Sequence, residues 1–262
     1  MKITLSKQEL TLSLDRASYS LTLPIHQTQP HLAVLPKMAT FTTLSALFTA
    51  AQTPNMQVAI FATDTTRILS PCKSHAANLL LITNWNRSYD VTDKTNTSII
   101  SRTSYEGAAY THQGWVLDVN NQEYLILDDE YDEYDKVGPA ADGYPVTYIW
   151  DIKTLESPKQ TGYYKTSVKG IDHNQYVIDG LSYQSNYGAG LRILDLSSIP
   201  SDPTGSGVKE VAFFDIYPED DEASGGGVIN FVGSWSSYAY FKSGFILVNT
   251  IERGAFVVKR TK

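Results

Sequence analysis

The sequence predicts an all-β fold built on a repeated unit, and three observations carry that prediction. From Tyr89 onward, short runs rich in Tyr, Val, Ile and Phe alternate with turns of Gly, Asn, Asp and Ser. No stretch there keeps a helical period over three turns. An apolar-Asp-apolar-polar step recurs at Ser88–Asp93, Ile149–Lys153 and Ile193–Ser197, each time followed by a short turn and another strand. The repeated acids Asp90, Asp151 and Asp195 stand 61 and 44 residues apart. Units of about 40–50 residues with about four strands each have the period of propeller blades. A β-sandwich with Greek-key connections is the competing architecture, because single strands look alike in both.

Twelve strands read in order along this part of the chain. They are 98–103, 110–117, 123–129, 146–152, 159–164, 174–178, 181–186, 191–196, 209–215, 228–233, 245–249 and 255–259. The longer first spacing is taken up by an acidic insertion, Tyr131–Tyr144, which reads beyond Glu130 as a solvated loop. Pro218–Glu222, ahead of three glycines, reads as a flexible charged turn.

Composition divides the chain near residue 88. Up to Ser88 there are three acidic and seven basic residues; the remainder carries 25 acidic and 14 basic. Sixteen of the 17 tyrosines also follow Ser88. The two stretches read as separate units, 1–88 and 89–262. The first shows short alternating strands around Leu10, Leu12, Leu14, Leu21 and Leu23, then three prolines, then a weakly apolar run from Met38. That run lacks a basic leader and starts late, so no clear signal peptide is read at the given start. A net charge of −7 argues against a partner built of phosphate backbone, so no nucleic-acid partner is expected. No apolar run approaches the ~18 residues of a membrane span. Cys72 stands alone, which excludes a disulfide framework and a cysteine zinc site.

Seven motifs stand in order through the second unit. They are Thr111–Trp115 (THQGW), Leu127–Glu130 (LDDE), Thr147–Asp151 (TYIWD), Ile171–Asn174 (IDHN), Tyr183–Tyr187 (YQSNY), Gly190–Asp195 (GLRILD) and Ile251–Gly254 (IERG). This series resembles the C-terminal half of the secreted LVIVD-repeat proteins called the choice-of-anchor B family, whose fungal members are labelled regulatory P domain proteins. The resemblance covers about residues 89–262 and implies a β-propeller-like fold and an extracellular or cell-surface location. It implies no established reaction. Residues 1–78 match nothing in the family, so the expectation is an incomplete propeller of three to four blades whose ring does not close. Unpaired sheet edges would then favour self-association.

Strand direction places the chemistry. In an antiparallel blade, the start of the first strand, the end of the second and the start of the third share one rim. That rim should gather His112, Gln113, Asp128, Asp129, Glu130, Asp172, His173, Asn174, Asn186, Arg192, Glu252 and Arg253. His112, Asp128, Asp129, Glu130, Asp172 and His173 are candidate metal ligands. Imidazole with carboxylate suits zinc or manganese, and carboxylate with Asn carbonyl suits calcium. Gln113, Asn174, Asn186, Arg192, Glu252 and Arg253 are candidate binding residues. A purely structural polar network and a pocket for an organic ligand are the alternatives.

The functional expectation is a binding or scaffold module, with a protein or a surface polymer as possible partner, rather than an enzyme. The runner-up is a metal-dependent hydrolase-like site with Asp129 or Glu130 as base, and a third reading is a structural surface protein. No Gly-x-Ser-x-Gly elbow surrounds Ser234 or Ser236. Asn86 and Asn96 head acceptor sequons and are candidate glycosylation sites.

Overall fold

The computed structural model describes residues 95–260 and, before them, only six strand segments. These are β1 (Leu10–Leu14), β2 (Ala17–Leu21), β3 (Ile60–Ala62), β4 (Thr65–Arg67), β5 (Leu80–Ile82) and β6 (Asn86–Asp90). The weakly apolar run from Met38 and Cys72 lie outside the described residues. The composition break at Ser88 falls inside β6, which pairs antiparallel with β7 (Ser98–Thr103).

Three larger sheets follow, each an antiparallel meander in chain order. The first holds β8 (Thr111–Val116), β9 (Tyr124–Asp129), β10 (Val146–Asp151) and β11 (Lys159–Lys165). The second holds β12 (Asn174–Ile178), β13 (Leu181–Ser185), β14 (Leu191–Asp195) and β15 (Lys209–Phe214). The third holds β16 (Ser234–Tyr238), β17 (Phe245–Thr250) and β18 (Ala255–Lys259). None of these sheets closes on itself. Among the described residues no helix is long and apolar enough to cross a membrane.

Two of the repeated acids share one structural job. Asp151 Oδ1 accepts the backbone N–H of Lys153 at 3.0 Å, and Asp195 Oδ1 that of Ser197 at 2.9 Å. Each is an Asx turn that reverses the chain after the third strand. One or two residues earlier the register slips by a bulge, at Ser88/Tyr89, Ile149/Trp150 and Ile193/Leu194. A bulge bends and twists its strand, so each of the three paired sheets is curved at the same place.

Alternation decides what the sheets bury. On β9, Leu125 and Leu127 join Val116, Tyr148 and Trp150 in one core. Tyr124 and Ile126 face the other way and join Ile149, Val177 and Leu194, which belong to the first and second sheets. Leu191 and Ile193 reach across to Ile246, Val248, Phe256 and Val258 of the third sheet. The sheets therefore stack face to face, which explains why β9 is buried at every position. Each fully buried Leu or Ile contributes about 1.5–3 kcal/mol, more than the roughly 1 kcal/mol net of one hydrogen bond.

One strand assignment from the sequence is corrected. The apolar run 228–233 is a loop, and the polar Ser234–Tyr238 forms the strand instead. The loop is held by polar anchors: Asp220 Oδ2 accepts Val228 N–H at 3.1 Å, and Asn230 Oδ1 accepts Phe231 N–H at 2.9 Å. Phe231 spends its ring on Tyr131, Tyr134 and Tyr187 rather than on a sheet core. The neighbouring acidic turn is not simply flexible charge either, since Asp220 is buried and Glu219 pairs with Arg253 at 2.7 Å.

Candidate metal centre

His112 and His173 come from β8 and from the residue that leads into β12, the first strands of adjacent sheets. Their rings stack with centroids 4.3 Å apart and planes 28° apart. His112 Nδ1 lies 2.6 Å from the carbonyl oxygen of His173, and His173 Nδ1 lies 2.7 Å from that of Trp235 on β16. A carbonyl accepts only, so both imidazoles carry their proton on Nδ1. The Nε2 lone pairs then face Glu130, with His112 Nε2 3.9 Å from Oε2 and His173 Nε2 3.7 Å from Oε1. Tyr187 O–H donates to Glu130 Oε1 at 2.5 Å.

Burial pushes the pKa of His112 down, against the opposing pull of Glu130, and pushes that of His173 well down, aided by His112 beside it. Both are neutral imidazoles at neutral pH. Backbone carbonyls fixing Nδ1–H, with Nε2 turned toward a carboxylate, is how proteins orient histidine ligands of a metal. Three atoms at about 2.1 Å from one tetrahedral zinc ion are about 3.4 Å apart, so small ring shifts would close the observed separations.

The sheets are joined beside this cluster by a second device. Gln113 Nε2 donates to the carbonyl of Gln175 at 2.7 Å, and Gln175 N–H donates to Gln113 Oε1 at 2.8 Å. Gln113 thus binds β12 as a neighbouring strand would. Asn174 Nδ2 donates to the Trp235 carbonyl at 2.7 Å, so it shares that acceptor with His173. Asn186 is fully buried at the end of β13.

The acids divide into different roles. Asp129 is spent: Tyr110 and Tyr131 N–H donate to Oδ1, and Ala109 N–H and Tyr105 O–H to Oδ2. It closes the turn before β8. Asp128 Oδ1 accepts Gln113 N–H at 2.6 Å and stands 3.8 Å from His112 Nδ1, with burial raising its pKa well above the usual range. Asp172, buried beside His173 in the chain, sends a carboxylate oxygen instead to a group with Asp132 and Glu133.

That second group corrects the reading of a solvated loop at Asp132 and Glu133, while Tyr131, Tyr134 and Asp135 are exposed. Asp132 and Glu133 are fully buried in a single helical turn, α1 (Asp132–Asp135), which a left-handed Lys136 ends. Sequence reasoning missed both, because one helical turn is too short to show a period and acidic composition reads as solvent-facing. Tyr187 was likewise missed as a partner of Glu130.

Three other expected rim residues point elsewhere. Arg192 donates to the Ala189 carbonyl at 2.8 Å, pairs with Glu210 at 3.4 Å and stacks on Phe213. Arg253 pairs with Glu219 and lies over the Tyr217 ring. Glu252 accepts Gly233 N–H at 3.0 Å, one step behind the Tyr187 contact. Asn96 is exposed in the turn before β7, and the side chain of Asn86 lies outside the described residues. No protein-family model matches the chain, and no curated protein matches it either.

Proposed function

We propose that the chain is a secreted or surface β-propeller-type repeat module of the LVIVD kind, a binding or scaffold protein that holds a divalent transition metal, zinc first, on His112, His173 and Glu130. The observation that carries the reading is the pair of Nδ1-anchored imidazoles turned toward one carboxylate. Two nitrogens and an oxygen suit zinc or manganese better than calcium. His112 remains 19% exposed at its side chain, so the metal's remaining position opens to solvent. A carboxylate or hydroxyl group of a protein or surface polymer would complete the coordination there. Blade-like organisation is supported by the three consecutive meanders, by the matched bulges of the first two, and by the adjacency of their first strands. A hydrolytic reading would use Asp129 or Glu130 as base, but four donors already hold both oxygens of Asp129, and Glu130 faces the two imidazoles and accepts Tyr187 O–H.

The test is elemental analysis and zinc calorimetry on the whole chain and on a His112→Ala/His173→Ala variant. Wild type should carry stoichiometric zinc, and the variant should lose it while keeping a β-type circular dichroism spectrum. A folded wild type whose melting is indifferent to zinc would overturn the reading.

A further inference from the structure

Asp132, Glu133 and Asp172 bring one carboxylate oxygen each to within 4.8 Å of one another. Glu133 is completely buried, and neither of its oxygens has a hydrogen-bond partner; the same holds for both oxygens of the 3% exposed Asp172. Asp132 Oδ1 is also unpartnered, while Oδ2 accepts Tyr148 O–H at 2.7 Å. Carboxylates removed from water without donors are among the costliest groups a fold can bury. The charges that act on Asp172 are Glu133, Asp132, Asp128 and Asp129, all acidic. Those acting on Glu133 are Asp132 and Asp129. The group has the anionic half of a binding site and unpartnered, fully buried oxygens turned toward its centre.

We propose that Asp132, Glu133 and Asp172 form a buried site for a hard divalent cation, calcium. The donors are all oxygen, which favours calcium over the zinc of an imidazole site. Oxygens that share a calcium ion at about 2.4 Å from each lie about 3.4–4.8 Å apart, so three oxygens within 4.8 Å of one another can close on one such ion. Tyr148 supplies the outer contact that orients Asp132, as outer hydrogen bonds orient metal ligands generally. The α1 turn then has a purpose, since it delivers two adjacent acids to Asp172 of the next sheet and lets the ion tie the sheets together. The site shares no ligand with the histidine cluster, so either one can fail alone.

The rival is protonation: the acids stay neutral by holding protons and bind no metal. Chelator-treated whole chain should show terbium emission sensitised through Tyr148, and calcium should displace it. Millimolar calcium should raise the melting temperature, and the His112→Ala/His173→Ala variant should respond like wild type. Glu133→Gln and, independently, Asp172→Asn should weaken calcium at least tenfold. A folded wild type with no calcium-dependent melting shift and no sensitised emission overturns the proposal, and so does a Glu133→Gln variant with undiminished calcium affinity.

Discussion

Tyr187 sits at φ 40°, a left-handed backbone that a bulky aromatic residue adopts at a cost on the order of 1–2 kcal/mol. Its surroundings impose the conformation. The Tyr187 carbonyl accepts Gly190 and Ser234 N–H, its ring lies against His173 and Phe231, and its hydroxyl fixes Glu130. Strain is thus concentrated where the candidate metal ligands meet. A different acid offers a titration test. Asp215, partly buried and beside the Asp221 carboxylate, has its pKa pushed up to about 6 from 3.8. The folded chain therefore holds that proton more tightly than the unfolded chain. The stability Asp215 contributes relative to Asp215→Asn is full below 3.8 and is lost as pH rises through about 6. Urea unfolding across that window should show the wild type falling relative to the variant, and parallel profiles would refute the assignment. Asn keeps an acceptor for the Tyr217 N–H that Asp215 Oδ1 now binds at 2.7 Å.

Among the elements, the turn between β13 and β14 is tightly constrained. Gly190 lies at φ 78°, and a Cβ there would come within 2.3 Å of the Phe214 carbonyl oxygen. Gly190→Ala should cost on the order of 2–4 kcal/mol, read as a lower urea midpoint with an unchanged slope. The strands themselves were largely legible. Period-two alternation and turn residues located eleven of the twelve expected elements to within a residue or two, because buried sheet faces enforce that alternation. Strand 228–233 failed because apolar residues such as Phe231 pack on a neighbouring aromatic cluster, and β16 was hidden by its serines. His112 and His173 were legible as neighbours, since strand direction alone puts the starts of adjacent inner strands together. Arg192 was not, because which face a guanidinium takes depends on its cross-strand partner, here Glu210. The inward turn of Asp132 and Glu133 had no local signal at all.

For the whole molecule, apolar stacking supplies adhesion and the polar joints set alignment. Two cores bind the three larger sheets face to face, while His112, His173 and Trp235 carry one run of side chain and backbone contacts through all three. The Gln113 clamp has a consequence for amide exchange. Gln175 N–H is bonded to a glutamine of the neighbouring sheet, not to β13. Its deuterium uptake therefore times the parting of two sheets, independently of how often either frays. Gln113→Ala should speed exchange at that single amide far more than at the amides of β13 and β14. Equal acceleration throughout the second sheet would mean that the sheets come apart and unravel as one event.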